Sequence, residues 1–101
     1  MHLSEAAATS HLLKKAGPTY PLNAKQAGVE GDVVFRILIG IDGRVTVLDT
    51  VSGNSMLRDA ARHAVSQWRY ETYDRRGQIS EVVTLARVQF RLPKEKKDSP
   101  P

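Results

Sequence analysis

Three histidines, His2, His11 and His63, are the side chains best suited to ligate a metal or move a proton near neutral pH. No two of them stand at a ligand spacing, and no carboxylate completes a donor set, so no metal centre is expected. His63 lies beside the apolar stripe of a helix and reads as a surface residue. Serine, histidine and carboxylates all occur, yet no nucleophile elbow or comparable motif gathers them. Cysteine is absent, which removes disulfides, thiolate ligands and a thiol nucleophile together. Gly28-Val29-Glu30-Gly31 fails as a phosphate loop because it precedes a strand, whereas a phosphate cradle lies between a strand and a helix start. The residues therefore point to no enzyme and to no cofactor.

Charge gives a second route to function. The chain carries 15 Lys and Arg against 11 Asp and Glu, a formal charge of +4. Arg58, Arg62, Arg69, Arg75 and Arg76 are candidates for a basic patch on and after a helix. Aromatic interleaving by Trp68, Tyr70 and Tyr73 is thin, and Asp59, Glu71 and Asp74 dilute the field, so no nucleic-acid partner is expected. Trp68 reads instead as a core anchor at the end of the helix. Lys94, Lys96 and Lys97 belong to a terminal stretch read as a solvated, disordered tail. The apolar run from Val33 to Ile41 is interrupted by Arg36 and falls far short of the roughly 20 residues a membrane helix needs. Met1 to Ala16 lacks the basic start and apolar block of a signal peptide. If the protein acts outside the cytoplasm, the expectation is a piece of a longer chain, or one whose export signal has been removed.

The elements that must position any site follow from periodicity. At 101 residues, 41% apolar and 26% charged, the chain can bury one core. Residues 1–11 are weakly patterned and expected to be flexible, with order beginning near Leu12. Pro21 suits a first helical turn and Gly28 a left-handed stop, which predicts a short helix over Leu22 to Ala27. Val33, Phe35, Ile37, Ile39 and Ile41 then alternate with Val34, Arg36, Leu38 and Gly40, the period of a strand. Asp42-Gly43 turns the chain back, and Arg44 to Val51 forms the return strand with Val45, Val47 and Val51 on a common side. Asn54 or Ser55 caps a helix running to about Arg69, whose stripe is Leu57, Ala61, Ala64, Val65 and Trp68. Tyr70 to Gly77 is read as irregular, and the last strand as about Gln78 to Leu92.

These elements predict an α+β two-layer sandwich: a three-stranded antiparallel sheet covered on one face by the long helix, with a short N-terminal helix. A crossover through the helix puts the last strand beside the first, giving the order 2-1-3. The last strand is then an edge whose outer row of N–H and C=O groups is unpaired. The domain is expected over residues 12–92, with residues 93–101 as the tail.

Several segments together resemble one family. Tyr20-Pro21 is followed by Ala24 and Ala27, then Val29-Glu30-Gly31-Asp32-Val33. Next come Ile41-Asp42-Gly43-Arg44-Val45, Val51-Ser52-Gly53, Leu57 with Ala60-Ala61, and Ala64-Val65 with Trp68-Arg69-Tyr70. Gly77 and Val88-Gln89-Phe90-Arg91-Leu92 close the pattern. From about Leu12 to Leu92 the chain resembles the C-terminal domain of TonB energy transducers.

That resemblance implies a periplasmic domain, in a full-length protein anchored to the inner membrane and coupled there to a proton-channel complex. It implies binding to the TonB box of outer-membrane transporters for iron chelates such as siderophores, cobalamin or other nutrients. In the family that segment pairs with the final strand. The expected pairing residues here are Val82, Val83, Thr84, Leu85, Ala86, Arg87 and Val88, with Val83, Leu85 and Arg87 projecting from the face away from the long helix. Tyr20 and Pro21 match the motif near which transporter-plug contacts occur, although packing alone also accounts for Tyr20. The exposed edge also invites a homodimer through the last strands. The family's membrane anchor and proline-rich spacer are missing from this sequence, and Thr72 stands where many members have proline. A periplasmic sensor or scaffold of the same shape, TolA-like, is the alternative.

Overall fold

The computed structural model describes residues 2–92. In chain order the elements are α1 (Glu5–Thr9), β1 (Leu12–Lys14), α2 (Leu22–Gln26), β2 (Gly31–Ile39) and β3 (Val45–Ser52). They continue with α3 (Ser55–Ser66), β4 (Arg69–Tyr70), β5 (Tyr73–Arg75), β6 (Gln78–Ser80) and β7 (Val82–Phe90). The main sheet is antiparallel in the order β3-β2-β7, the expected arrangement.

Alternation in β2 places Val33, Phe35, Ile37 and Ile39 under α3, where Leu57, Ala61, Val65 and Trp68 meet them. The unbroken register of β7 on β2, with Phe35 opposite Ala86 and Ile37 opposite Thr84, puts Val82, Ala86, Val88 and Phe90 on that same buried face. Asn54 caps α3, its side-chain oxygen accepting from the Met56 N–H at 2.8 Å. Trp68 lies just past the helix and is 3% exposed. Its indole N–H donates to the Ala16 carbonyl at 3.0 Å, so the largest side chain is both packed and satisfied.

Five local expectations are corrected. The long helix ends at Ser66 rather than Arg69, and Arg69–Tyr70 leaves it to pair with β1 as a second, two-stranded sheet. The stretch read as irregular, and the start of the last strand, form a separate hairpin of β5 and β6. Arg76 and Gly77, with φ of 56° and 83°, make its tight turn. β7 consequently begins at Val82 and ends at Phe90. In β3 the register slips twice, skipping Leu48 and Val51, so Val51 is 57% exposed rather than aligned with Val45 and Val47. Ile41 follows the end of β2 and is 60% exposed, outside the buried alternation.

Within the segment expected to span residues 1–11, where the sequence pattern placed no element, α1 forms, its Ser4 cap accepting from the Ala7 N–H at 3.1 Å. Ala8 is 1% exposed and belongs to the core cluster. The expected tail, residues 93–101, lies outside the described residues.

One turn positions the site. Gly43 takes φ +82°, and its carbonyl accepts the Tyr70 N–H at 3.0 Å, which fastens the β2–β3 hairpin tip to β4. A Cβ at Gly43 would collide with the Tyr70 carbonyl oxygen, so glycine is required by both conformation and space.

Candidate partner-binding edge

In an antiparallel ladder both backbone groups of a residue point the same way, and successive residues alternate. The Leu3 N–H donates to the Val83 carbonyl at 3.0 Å, which shows that Val83 faces outward. By the same phase Leu85, Arg87 and Gln89 direct N–H and C=O away from the sheet, while Val82, Thr84, Ala86 and Val88 bond to β2. Of the seven expected pairing residues, three therefore direct backbone outward, and the carbonyl of one of them, Val83, is taken by Leu3. Their side chains are half-buried or exposed on the face opposite α3, and those of the other four are buried.

The outer border is only partly open. His2 bridges Val83 in a parallel sense, and the Thr84 hydroxyl donates to the carbonyls of Leu3 at 2.8 Å and Ser4 at 3.2 Å. Arg87 spans two carboxylates, reaching Glu5 of α1 at 3.1 Å and Asp32 of β2 at 3.2 Å. Those bonds hold its guanidinium above its ordinary pKa, the Glu5 hydrogen bond contributing most. Arg91 adds a second contact to Asp32 at 3.0 Å. Beyond the N-terminal arm formed by residues 2–9, Leu85, Arg87 and Gln89 have no backbone partner on the outer side among the described residues.

A groove of about 180 Å³ runs beside that free stretch, lined by Glu5, Thr9, Leu12, Lys15, Trp68, Tyr70 and the Leu85 to Arg87 segment with Gln89. The Lys15 ammonium stands 5.4 Å from the Trp68 ring centroid, a cation–π contact at the groove wall. Tyr70 is buried, and its phenol is pushed up to about 12, first by desolvation and then by the Glu5 carboxylate. The groove thus has an aromatic floor beside two cations, Lys15 and Arg87.

The other candidate residues fall elsewhere. Tyr20 donates its hydroxyl to the Val29 carbonyl and sets its ring edge-on to Phe90 at 5.3 Å, so its contacts within the domain are packing contacts. Its phenol is also raised, by desolvation first and then by Glu30. Pro21 caps α2 in extended conformation beside Leu22, which is 68% exposed. His11 pairs with Glu71 at 3.0 Å and His63 with Gln67 at 2.9 Å, and no metal-ligand cluster occurs among the described residues. Arg58 bonds the Gly53 carbonyl and Arg69 the Trp68 carbonyl, while Arg62 lies over the Phe35 ring, so the basic residues of α3 and β4 serve the fold.

The arm is the part of the site that periodicity did not reveal. Its signal was present in the cap residue Ser4 before Glu5-Ala6-Ala7-Ala8, the residue types that start and carry a helix.

Comparison with known proteins gives the family of the chain. The family model for the C-terminal region of the Gram-negative bacterial TonB protein matches residues 16–92. Protein TonB of Yersinia enterocolitica is 35% identical over 74 residues, which cover 70% of this chain and 29% of that protein. Protein TonB of Klebsiella aerogenes is 32% identical over 82 residues, covering 79% of this chain and 32% of that one. The chain thus spans about a third of the length of these curated relatives. The solution structure of the Pseudomonas aeruginosa TonB C-terminal domain aligns with a TM-score of 0.58 at 29% identity, over 83% of this chain and 87% of that one. α1 and β1 precede the span that the family model matches. Family model, curated relatives and solved structure agree, and the chain belongs to the TonB C-terminal domain family, whose members are transducer and interaction domains rather than enzymes.

Proposed function

We propose that this domain acts in the periplasm as the transporter-binding end of a TonB-like energy transducer, taking up the TonB box of an outer-membrane transporter as an added strand on β7. The observation that carries this is the outward row of backbone groups at Leu85, Arg87 and Gln89, with a groove alongside for the guest's side chains. Each added backbone bond contributes roughly 0.5–1.5 kcal/mol net, so a few give a grip that holds and releases.

Force transmission follows from direction. A guest strand pulled along its own axis loads its ladder bonds together rather than one by one, and the antiparallel register passes that load from β7 to β2 at the centre of the sheet. The remainder of the transducer, with its inner-membrane anchor and proton-driven partners, belongs to the same proposal, as does uptake of a nutrient such as an iron chelate. The Tyr20-Pro21 corner is proposed as a secondary contact, with Leu22 exposed beside it.

The test is a titration of the isotope-labelled domain with TonB-box peptides. Saturable shifts at Val83 to Gln89 are expected. Leu85→Pro removes an outward N–H without breaking a bond to β2, so it should lower affinity at least tenfold while leaving the fold intact. Equal binding by the native and proline chains refutes the site. Silence from the native chain favours a TolA-like scaffold with another partner.

A further inference from the structure

The border proposed for the guest already holds a chain segment. Residues 2–9 run parallel to β7 at Val83, contribute a backbone bond there, and fold back into α1 with Ala8 in the core. Thr84 clasps the arm by its carbonyls at Leu3 and Ser4, and Arg87 by the carboxylate of Glu5. The arm precedes the span that the family model matches.

From this we infer that residues 2–9 are a tethered competitor for the β7 border, and that a guest strand reaching Val83 must displace them. The inference rests on the proposal that β7 is the docking edge, and it adds the regulation of that edge. The arm uses the same resource as a guest, the outward backbone of β7, and it holds the Arg87 guanidinium as well. When it leaves, Arg87 keeps Asp32 and has donors free for a carboxylate on the incoming segment. The arm's hold is limited: one backbone bond to Val83, the Thr84 hydroxyl, a partly exposed ion pair, the burial of Ala8 and the packing of half-buried Leu3 against the core. Such a hold is consistent with a reversible cover, and it lowers the apparent affinity for a guest by the fraction of time the border is free.

Because the chain has no cysteine, a reversible lock tests this cleanly. His2→Cys with Val83→Cys joins the two bridged positions. The oxidised double variant should bind a TonB-box peptide at least tenfold more weakly than the same protein after reduction. In the other direction, Ala8→Glu places a charge against the core and should expel the arm, raising affinity about tenfold; Glu5→Arg, which turns the half-buried Glu5–Arg87 pair into a repulsion, serves should Ala8→Glu fail to fold. Equal affinity in the locked and reduced forms overturns the inference and leaves the docking edge standing. If TonB-box peptides bind no form, the docking proposal falls and the arm is judged by its own peptide. A synthetic peptide of residues 2–10, added to the arm-released chain, should shift the Val83, Leu85 and Arg87 amides, and the absence of those shifts overturns the inference.

Discussion

Tyr70 sits where three parts of the fold meet. Its N–H ties the β2–β3 hairpin tip through Gly43, its backbone pairs with Leu12 of β1, and its ring lines the groove beside β7. The raised phenol has a consequence for stability. An unfolded tyrosine titrates near 10, whereas the folded phenol does so at about 12, so the folded state keeps its proton where the unfolded state loses it. The contribution is complete below about pH 10 and is lost as pH rises through about 12, a fall of roughly 2 kcal/mol. Thermal melts between pH 9 and 12 should show this decline, reduced in Tyr70→Phe. Gly43→Ala forces a side chain into positive φ and against the Tyr70 carbonyl, and should cost about 1–3 kcal/mol in denaturant unfolding. Much at this scale was legible: Asp42-Gly43 named the turn because its requirement is local. The docking of that turn on Tyr70 was not, since no sequence period links residues so far apart.

Among the elements, β7 presents two sets of amides with opposite fates. Val82, Thr84, Ala86 and Val88 bond inward to β2, while Leu85, Arg87 and Gln89 face out. In the free domain the inward set should resist hydrogen exchange and the outward set should exchange quickly, and a bound TonB-box peptide should slow the outward set selectively. Uniform protection along β7 would contradict the assigned phase. The edge position was readable because handed crossovers restrict the sheet order. What covers part of that edge was not, because α1 lacks an apolar period and gains its stability from Ser4, Ala8 and its contacts to Thr84 and Arg87. The slips in β3 left a trace that simple alternation passed over. Asp49 occupies what should have been an inward position, and the structure turns it outward to Arg36 at 2.6 Å.

For the molecule as a whole, the arm does for one copy what a partner strand would do. Chains whose arm is released by Ala8→Glu should self-associate through β7 at high concentration, and the native chain much less. Sedimentation across a concentration series measures this, and equal association of both chains would exclude the arm as edge protection.

The two skipped residues of β3 decide what such association can become. Leu48 and Val51 interrupt the opposite border of the sheet, so its hydrogen-bonding row is not regular enough to accept a long neighbour. A sheet that can grow from both borders polymerises, whereas one with a single usable border stops after joining its own copy. Chains with β7 exposed are therefore expected to form a closed two-fold pair rather than a fibre, the irregularity of β3 acting as a chain terminator.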